Sequence, residues 1–307
     1  MDKSYQLVII GGGPAGLSAG IYAARSRLQT VLVDRGLPGG QIVNAEIVEN
    51  YPGFPEGLSG AELGVLFEQQ AKKFGLEIVM AEVLGLEVGN DRKIVKTSEG
   101  DYAARSVIIA AGSEHSKLKV PGEEELVGRG VSYCAMCDGA FFRDQVVAVV
   151  GGGNVALNDA LFLTKFASRV VVIHRRDELR ATKILQERAL ANPRIEFVWD
   201  TVLDSIVGDG QVRELNLRNV KSGEESKLGV SGVFVAVGWR PNTAYLSGLV
   251  DLTPEGFVRV NDQLETSIPG VFAAGDVRVG SPRQVVCAAG DGATAAIHAE
   301  RYVSSGT

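Results

Sequence analysis

Two cysteines with a redox spacing stand near the middle of the chain, in Cys134-Ala135-Met136-Cys137, and Asp138 follows them directly. A thiolate rather than a thiol attacks a disulfide, and Cys-X-X-Cys geometry at a helix N-terminus lowers the cysteine pKa. The spacing allows the two sulfurs to bridge when oxidised and to exchange with a partner's disulfide when reduced. The pattern therefore predicts a redox-active dithiol.

Two other uses of paired cysteines have to be weighed. A zinc site needs about four nitrogen or sulfur ligands in one neighbourhood. The remaining candidates are scattered and form no second paired cluster: Cys287, His115, His174 and His298. A purely structural disulfide is disfavoured because so short a loop constrains the unfolded chain little. A chain otherwise poor in cysteine also indicates an intracellular protein, so we expect no metal and a cytoplasmic location.

A glycine-rich turn follows the first apolar run of the chain, residues 7–10, which predicts a strand buried on both faces. In the dinucleotide-binding pattern Gly11 makes the turn, Gly13 admits the pyrophosphate and Gly16 lets helix and strand pack closely. The phosphates then lie at a helix N-terminus, where free N–H groups favour anions. Asp34 ends the next apolar run, where a carboxylate can accept hydrogen bonds from ribose hydroxyls.

The glycine pattern recurs at residues 151–156, before a predicted helix over 158–167. Ala156 takes the place of the third glycine, which is a permitted variant. Where the first repeat has Asp34, the second has residues 174–176, His-Arg-Arg, at the same interval. The chain therefore contains an internal duplication whose two halves carry opposite charge at the ribose position.

Arginine at this position accommodates a ribose 2′-phosphate through paired, charge-assisted hydrogen bonds, so the second nucleotide is predicted to be NADPH. Arg180 could join Arg175 and Arg176 from the following turn. The alternative is a solvated basic patch that pairs with Asp177 and Glu178.

The composition bounds the remaining possibilities. The chain has 307 residues, of which 45% are hydrophobic and 22% charged, as in soluble globular proteins of one or two domains. A net charge of −6 argues against a nucleic-acid partner, because such proteins usually present a basic surface. The first apolar run is too short for a signal peptide, and no run approaches the ~20 residues of a membrane span.

Two nucleotide sites and one dithiol are consistent with the transfer of two electrons from one nucleotide to the other and then to sulfur. NADPH delivers a hydride, which a disulfide accepts poorly, whereas a flavin accepts hydride and passes two electrons to sulfur. The acidic first loop therefore suits FAD and the basic second loop suits NADPH.

Together these residues resemble the low-molecular-weight bacterial thioredoxin reductases over essentially the whole chain, and the Cys-Ala-X-Cys-Asp-Gly run is highly specific. Further residues carry the resemblance: Gly39-Gly40-Gln41, Ala110-Ala111-Gly112-Ser113, Gly275-Asp276 and Arg283-Gln284-Val285. By itself, the acid after the buried run at Gly275-Asp276 could accept from ribityl hydroxyls or merely cap a loop. The resemblance implies a homodimer of α/β fold with two Rossmann-like, three-layer domains, the NADPH domain being inserted in the FAD domain.

The resemblance implies a FAD-binding domain over 1–115 and 246–307, and an NADPH-binding domain over 116–245 that carries the dithiol. It assigns exchange with thioredoxin to Cys134, the contact with the flavin to Cys137, and general acid–base chemistry to Asp138. The implied FAD contacts are Gly11, Gly13, Pro14, Ala15, Gly16, Asp34, Gly40, Gln41, Asn50, Val83, Ala111, Gly112, Gly275, Asp276, Arg283, Gln284 and Val285. The implied NADPH contacts are Gly151, Gly153, Asn154, Val155, His174, Arg175, Arg176 and Arg180.

The resemblance also implies that the middle domain rotates on linkers near 114–119 and 239–245. The chain departs from the family's usual pattern at two places. Met136 replaces the usual threonine between the cysteines, and Asn158-Asp159 stand where the family commonly has two glutamates in the helix after the second loop. The alternatives are a related flavin dithiol oxidoreductase, which would serve a peroxiredoxin-type partner or oxidise small dithiols with oxygen, and a flavin-bound redox sensor without turnover.

Overall fold

The computed structural model describes residues 3–45, 47–89, 92–246 and 248–305. The chain divides into two compact units, of which the first is Met1–Glu114 with Arg240–Thr307 and the second is His115–Trp239. The chain thus enters the second unit one residue from the boundary expected at 115/116 and leaves it six residues before the one expected at 245/246.

The first segment of unit 1 alternates strands and helices up to the crossing into unit 2. Its elements are β1 (Lys3–Ile10), α1 (Pro14–Arg25), β2 (Thr30–Asp34), α2 (Gly60–Lys73), β3 (Glu77–Met80), β4 (Val83–Val88), β5 (Lys93–Thr97), β6 (Tyr102–Ile109) and β7 (Ser113–His115). Short 3-10 turns are described below where they matter.

Unit 2 and the returning segment complete the fold. The elements of unit 2 are β8 (Val131–Ser132), α3 (Ala135–Asp138), β9 (Val146–Val150), α4 (Asn154–Leu163), β10 (Arg169–Ile173), α5 (Lys183–Leu190), β11 (Ile195–Val198), β12 (Thr201–Gly208), β13 (Val212–Asn219), β14 (Glu225–Gly229) and β15 (Gly232–Val235). The return contributes β16 (Trp239–Pro241), β17 (Val271–Ala273) and α6 (Val285–Ser304).

The sheet of unit 1 has the order β3-β2-β1-β6-β5-β4, and β17 also pairs with β6. Strands β1, β2, β6 and β17 are parallel, with Ile10 opposite Val33 and Ile109, and Ala273 opposite Ile109. The carboxyl ends of these four strands therefore meet at one edge of the sheet. That edge is where an open α/β sheet binds its ligand.

The side chains of β1 alternate between the two faces of the sheet and contribute to a hydrophobic core on each face. Leu7 and Ile9 pack with the helices, and Val8 and Ile10 pack with strands β4 and β5 on the other face. Successive side chains of a strand point to opposite faces, so a continuous apolar run fills both layers. Helix α6 packs closely against α1 at Gly292, where an added Cβ would lie only 1.9 Å from the Ala15 carbonyl oxygen. The close packing therefore requires glycine at this position.

Unit 2 also has a parallel sheet whose two faces both carry apolar residues. Its parallel sheet has the order β11-β10-β9-β15-β8, and an antiparallel meander, β12-β13-β14, forms a separate layer. Val147 and Val149 pack with the helices, whereas Ala148 and Val150 pack with the meander. Ser132 of β8 lies opposite Phe234 of β15.

The predicted start of the helix after the second glycine loop was too late. Helix α4 begins at Asn154, not at residue 158, and Leu157 N already donates to the Gly153 carbonyl at 3.1 Å. The residues after Gly153 therefore belong to the first helical turn, which places their N–H groups at the loop. Helix α5 was not anticipated. Within the described ranges, no helix is both long and apolar enough to cross a membrane.

Candidate active site

The structure joins the two central cysteines. Cys134 and Cys137 form a disulfide with their Cα atoms 5.3 Å apart. Cys134 caps the N-terminus of α3, and its sulfur accepts a hydrogen bond from Cys137 N at 3.2 Å. Cys137 is exposed and Cys134 half-buried, so the bridge can be reached from solvent. No group of three or more metal-binding side chains occurs in the part of the chain that the structure describes.

Asp138 is held beside the bridge by a residue that the sequence analysis missed. Ser132 Oγ donates to Asp138 Oδ2 at 2.6 Å and accepts from Cys134 N at 3.1 Å. Burial raises the pKa of Asp138, while the Ser132 hydrogen bond lowers it. A carboxyl group with a raised pKa can give or take a proton closer to neutral pH, as exchange between thiols and disulfides requires. The available signal was a small polar residue at the end of a buried strand, two positions before the first cysteine.

The disulfide and the second glycine loop share one edge of the unit 2 sheet. Phe234 lies opposite both Ser132 and Val149, so the last residue of β8 is level with Val149 of β9. Cys134 and Gly151 each follow that level by two residues. Only strand β15 separates β8 from β9, which corresponds to about 10 Å at the usual strand spacing.

The first glycine loop has the geometry that a pyrophosphate needs. Gly11 has φ +107°, and a Cβ on Gly16 would lie 1.8 Å from the Gly11 carbonyl oxygen, so neither position accepts a side chain. Around Gly13 the nearest atom to an added Cβ is 3.9 Å away, which leaves its backbone open to a ligand. Pro14 and Ala15 then begin α1. The loop therefore fits the predicted FAD pyrophosphate.

Asp34 braces this loop from the end of β2. Its Oδ1 accepts from Gly36 N at 2.8 Å, and its Oδ2 accepts from Gly12 N. A carboxylate has about four acceptor positions, so two remain for ribose hydroxyls. Ala81 N donates to the Asp34 carbonyl at 2.8 Å, which places Val83 two residues from the same strand end.

Four predicted flavin residues follow β6 and β17 at this edge, namely Ala111, Gly112, Gly275 and Asp276. Gly112 has φ +67° and nothing within 4 Å of an added Cβ, and the neighbouring Ser113 Oγ is buried without a hydrogen-bond partner. Burial raises the pKa of Asp276, whose Oδ1 accepts from Ser281 Oγ at 2.8 Å. Ala111 and Gly275 flank these positions. An open cradle beside an unpartnered hydroxyl fits a polar ligand such as the flavin.

Two further segments of unit 1 complete this surface. The 3-10 turn Gly40–Asn44 lies against the first glycine loop, because a Cβ on Gly40 would be 2.9 Å from Gly13 Cα. Gln41 within it is exposed. At the start of α6, Gln284 Oε1 accepts from Asn50 Nδ2 at 3.1 Å. Arg283 and Val285 flank that glutamine, and Arg283 adopts φ +56°.

An ion pair that the sequence analysis missed supports the Gly275 turn. Asp291 of α6 accepts from Gly275 N at 3.0 Å and forms two hydrogen bonds with Arg278, at 2.6 and 2.9 Å. Paired hydrogen bonds between arginine and carboxylate fix orientation as well as adding energy. Nothing local in the sequence signals this contact, since Asp291 lies in the middle of an alanine-rich helix.

The second glycine loop fits a dinucleotide in the same way. Gly151 has φ +154°, and a Cβ there would lie 2.5 Å from the Ala236 carbonyl oxygen. Gly153 has nothing within 4 Å of an added Cβ, so its backbone is open to phosphate. Asn154 begins α4 and its Oδ1 accepts from Thr182 N at 2.8 Å, while Val155 is exposed.

His174 and the arginines play different structural parts. The His174 ring is buried, lies against Gly152 and forms a 3.1 Å hydrogen bond with the Glu178 carbonyl, and burial lowers its pKa. It therefore supports the loop as a neutral ring. Arg175 and Arg176 are exposed, and neither has an ion-pair partner among the described residues.

The acid next to these arginines is already engaged. Asp177 pairs with Lys221 at 2.7 Å, and Lys221 also pairs with Asp200 at 3.0 Å. Arg180 is exposed too, and its N donates to the Gly152 carbonyl at 2.8 Å. Uncompensated guanidinium groups beside a phosphate loop suit a ligand with an additional phosphate, which fits the predicted NADPH.

By fold and site, a chain with two such loops and a bridged cysteine pair is a disulfide oxidoreductase that works with nucleotide cofactors. The pattern of the family described as "Pyridine nucleotide-disulphide oxidoreductase" matches residues 5–292, and the chain belongs to that family. Membership confirms the predicted class of enzyme and its cofactors, FAD and NADPH.

Individual relatives extend the likeness over nearly the whole chain. A thioredoxin reductase of Bacillus subtilis (strain 168) is 46% identical over 303 residues, which are 98% of this chain and 96% of that protein. A crystal structure of thioredoxin reductase from Streptococcus pyogenes MGAS5005 has a TM-score of 0.95 and 45% identity, and covers 99% of this chain and 100% of that one. A Lactococcus lactis thioredoxin reductase, described as in the FR conformation, has a TM-score of 0.67 at 44% identity, covering 98% of this chain and 99% of that one. These likenesses confirm the resemblance noted from the motifs and the fold of two Rossmann-like α/β domains.

Proposed function

We propose that this protein is an NADPH-dependent thioredoxin-disulfide reductase. The reaction converts NADPH, a proton and the disulfide of thioredoxin into NADP⁺ and the thioredoxin dithiol. The observation that carries the proposal is the Cys134–Cys137 bridge beside the partly buried Asp138, at the sheet edge that also carries the basic nucleotide loop. The names of relatives 43–46% identical over nearly the full chain support thioredoxin as the substrate.

The two nucleotides divide between the two parts of the chain. We assign FAD to residues 1–115 and 246–307, where Gly13, Gly112 and Asp34 form the open edge described above. We assign NADPH to residues 116–245, where the open backbone of Gly153 would take the pyrophosphate and the exposed Arg175 and Arg176 would pair with the 2′-phosphate. When bound, FAD accepts hydride from NADPH and supplies two electrons to the disulfide.

The chain's own groups carry the second half of the reaction. Two electrons and protons convert the Cys134–Cys137 bridge into two thiols. The Cys134 thiolate attacks the thioredoxin disulfide, forming a mixed disulfide and releasing one thioredoxin thiolate. Cys137 then attacks Cys134 Sγ, which re-forms the bridge and releases the second thioredoxin thiolate. We assign the exchange of protons with these sulfurs to Asp138, which follows Cys137 directly and whose carboxyl group accepts a hydrogen bond from Ser132.

The same disulfide has to meet both the flavin and a protein partner, which supports rotation of the middle domain between the half-reactions. Solved relatives with nearly equal identity give TM-scores of 0.95 and 0.67, and the description of the second specifies a conformation. We further propose a homodimer that acts in the cytoplasm, without nucleic-acid or membrane partners.

One titration tests the proposal. The protein, loaded with FAD, is reduced anaerobically with NADPH and then mixed with oxidised thioredoxin. We expect the flavin absorbance to bleach with NADPH, to bleach far more slowly with NADH, and to return on adding thioredoxin disulfide. Bleaching without recovery, while a peroxiredoxin-type partner or a small disulfide restores the colour, would assign a different substrate.

A further inference from the structure

Tyr133 lies between the redox bridge and the point where the chain enters unit 2. It directly precedes Cys134, and its ring stacks on His115 with the centroids 3.5 Å apart and the planes 20° apart. Its hydroxyl donates to Glu123 Oε1 at 2.9 Å. Burial and Glu123 raise the pKa of Tyr133, so the phenol stays neutral and remains a donor.

Glu123 is completely buried and has three donors. Leu118 N donates to Oε1 at 3.0 Å and Lys119 N to Oε2 at 2.6 Å, in addition to the Tyr133 hydroxyl. A buried carboxylate is tolerated only when hydrogen bonds satisfy it, so these donors hold each other in place. Lys119 adopts φ +62°, a conformation that a lysine keeps only when its surroundings impose it.

His115 extends this contact to the other end of unit 2. Its ring meets Trp239 edge-on at 5.6 Å, and Ser116 N donates to the Gly238 carbonyl at 2.8 Å. His115 and Trp239 are the first and last residues of unit 2. Tyr133 therefore contacts His115, where the chain enters unit 2, and is linked through the His115 ring to Trp239, where the chain leaves it.

The neighbour of Tyr133 holds the bridge itself. Ser132 bonds to Asp138 and to Cys134 N, whereas Tyr133 bonds to Glu123. Successive residues of an extended chain point to opposite sides. The side chains of Ser132 and Tyr133 therefore hold the backbone before Cys134 from opposite sides.

We propose that Tyr133 and Glu123 are positioning residues, which fix the direction in which the Cys134–Cys137 bridge is presented by tying it to the segments that bound unit 2. The inference rests on the proposed function, in which one bridge must meet two reaction partners in turn. Neither residue touches the reacting sulfurs, so each acts through the backbone that leads to Cys134.

Tyr133→Phe tests this directly, because it keeps the stacked ring and removes only the bond to Glu123. We expect kcat for thioredoxin reduction to fall about three- to tenfold, a modest part of the ~100-fold that a 1 Å misplacement can cost. The rate of flavin reduction by NADPH and the KM for NADPH should stay unchanged. After reduction of the bridge, alkylation of the half-buried Cys134 by iodoacetamide, followed without thioredoxin, should become at least about threefold faster because the segment opens more often. Glu123→Gln should change both measurements in the same direction.

Tyr5→Phe is the matched control. The Tyr5 hydroxyl donates to Glu77 at 2.8 Å in unit 1, so the variant loses the same kind of bond away from the bridge. Unchanged kcat and alkylation in Tyr133→Phe would overturn the inference, and so would an equal loss of NADPH-dependent flavin reduction or equal effects in Tyr5→Phe. Failure of the wild-type protein to reduce thioredoxin would instead count against the proposed function.

Discussion

The hydroxyl of Ser132 donates a 2.6 Å hydrogen bond to Oδ2 of Asp138, across the first turn of the segment that carries the redox bridge. Ser132 thereby opposes the effect of burial on the carboxyl group, since burial raises the pKa of Asp138 and this bond lowers it. Ser132 Oγ also accepts a hydrogen bond from Cys134 N at 3.1 Å. One side chain therefore positions both the carboxyl group of Asp138 and the backbone of the first cysteine.

Ser132→Ala should therefore raise the pKa of Asp138 further, because the bond that stabilises the charged carboxylate is lost. We expect the acidic limb of the pH profile of thioredoxin reduction to move to higher pH, with about 1–3 kcal/mol less stability. Ser304→Ala is the control, since Ser304 makes a 2.8 Å bond to Glu300 at the end of α6. A profile identical to wild type would remove Ser132 from the mechanism.

Cys134→Ser and Cys137→Ser should each abolish reduction of thioredoxin while reduction of the bound flavin by NADPH survives. Each substitution removes one sulfur of the bridge and leaves both glycine loops intact. Stopped-flow absorbance separates the two half-reactions. The control is Cys287→Ser, which changes the free, half-buried cysteine at the start of α6. Thioredoxin turnover at the wild-type rate in either bridge variant would contradict the mechanism.

The double variant Arg175→Ala with Arg176→Ala should narrow the preference for NADPH over NADH by about 2–4 kcal/mol, taking ~1.5–3 kcal/mol per charged hydrogen bond less losses to solvent. Both guanidinium groups are exposed beside the second loop, where a 2′-phosphate would be their partner. The ratio of kcat/KM for the two nucleotides measures the effect. Lys227→Ala is the matched control, since that cation pairs with Glu214 at 2.7 Å on the meander and not with the acid beside the arginines. An unchanged ratio would place the phosphate elsewhere.

Gly13→Ala should fold normally and bind FAD weakly. An added Cβ there meets nothing closer than 3.9 Å within the protein, so it would project into the space that the pyrophosphate needs. Gly16→Ala should behave differently, because its Cβ would lie 1.8 Å from the Gly11 carbonyl oxygen and destabilise the fold by about 1–3 kcal/mol or more. Flavin content after purification, read beside the far-UV circular dichroism, distinguishes the two. Full flavin content in folded Gly13→Ala would reject this loop as the FAD site.

Asp159→Asn should become more stable than wild type as pH rises. Burial raises the pKa of Asp159 on α4 to about 7. The folded protein therefore keeps a proton that the unfolded chain has already lost, so this carboxyl group lowers stability as pH rises from about 4 to about 7.

Stability of Asp159→Asn relative to wild type should thus increase through that window and level off above it. We expect a gain of about 1–2 kcal/mol, discounted because solvent still reaches the side chain. Urea unfolding at several pH values measures it, and Asp209→Asn, at an exposed turn, is the control. A difference that does not vary with pH would mean that Asp159 titrates normally.

The motifs that determine chemistry could be read from the sequence because their residues are close together along the chain. The glycine positions of both loops, the cysteine pair and the arginines after β10 all depend on local spacing, and parallel strands bring their ends to one edge without further information. Even so, the start of α4 was placed late, since residues after a glycine turn have no local mark of helix until their hydrogen bonds are seen.

By itself the sequence determined the class of fold, the two nucleotide loops and the identity of the redox pair, because each rests on backbone freedom or on sulfur chemistry within a few residues. Only the tertiary structure decided which side chains hold those groups: Ser132 on Asp138, Asp291 on Arg278 and Glu123 on Tyr133. These contacts depend on where separate segments meet after folding. A hydrogen bond needs its two atoms within about 3 Å, and spacing along the chain does not report that distance.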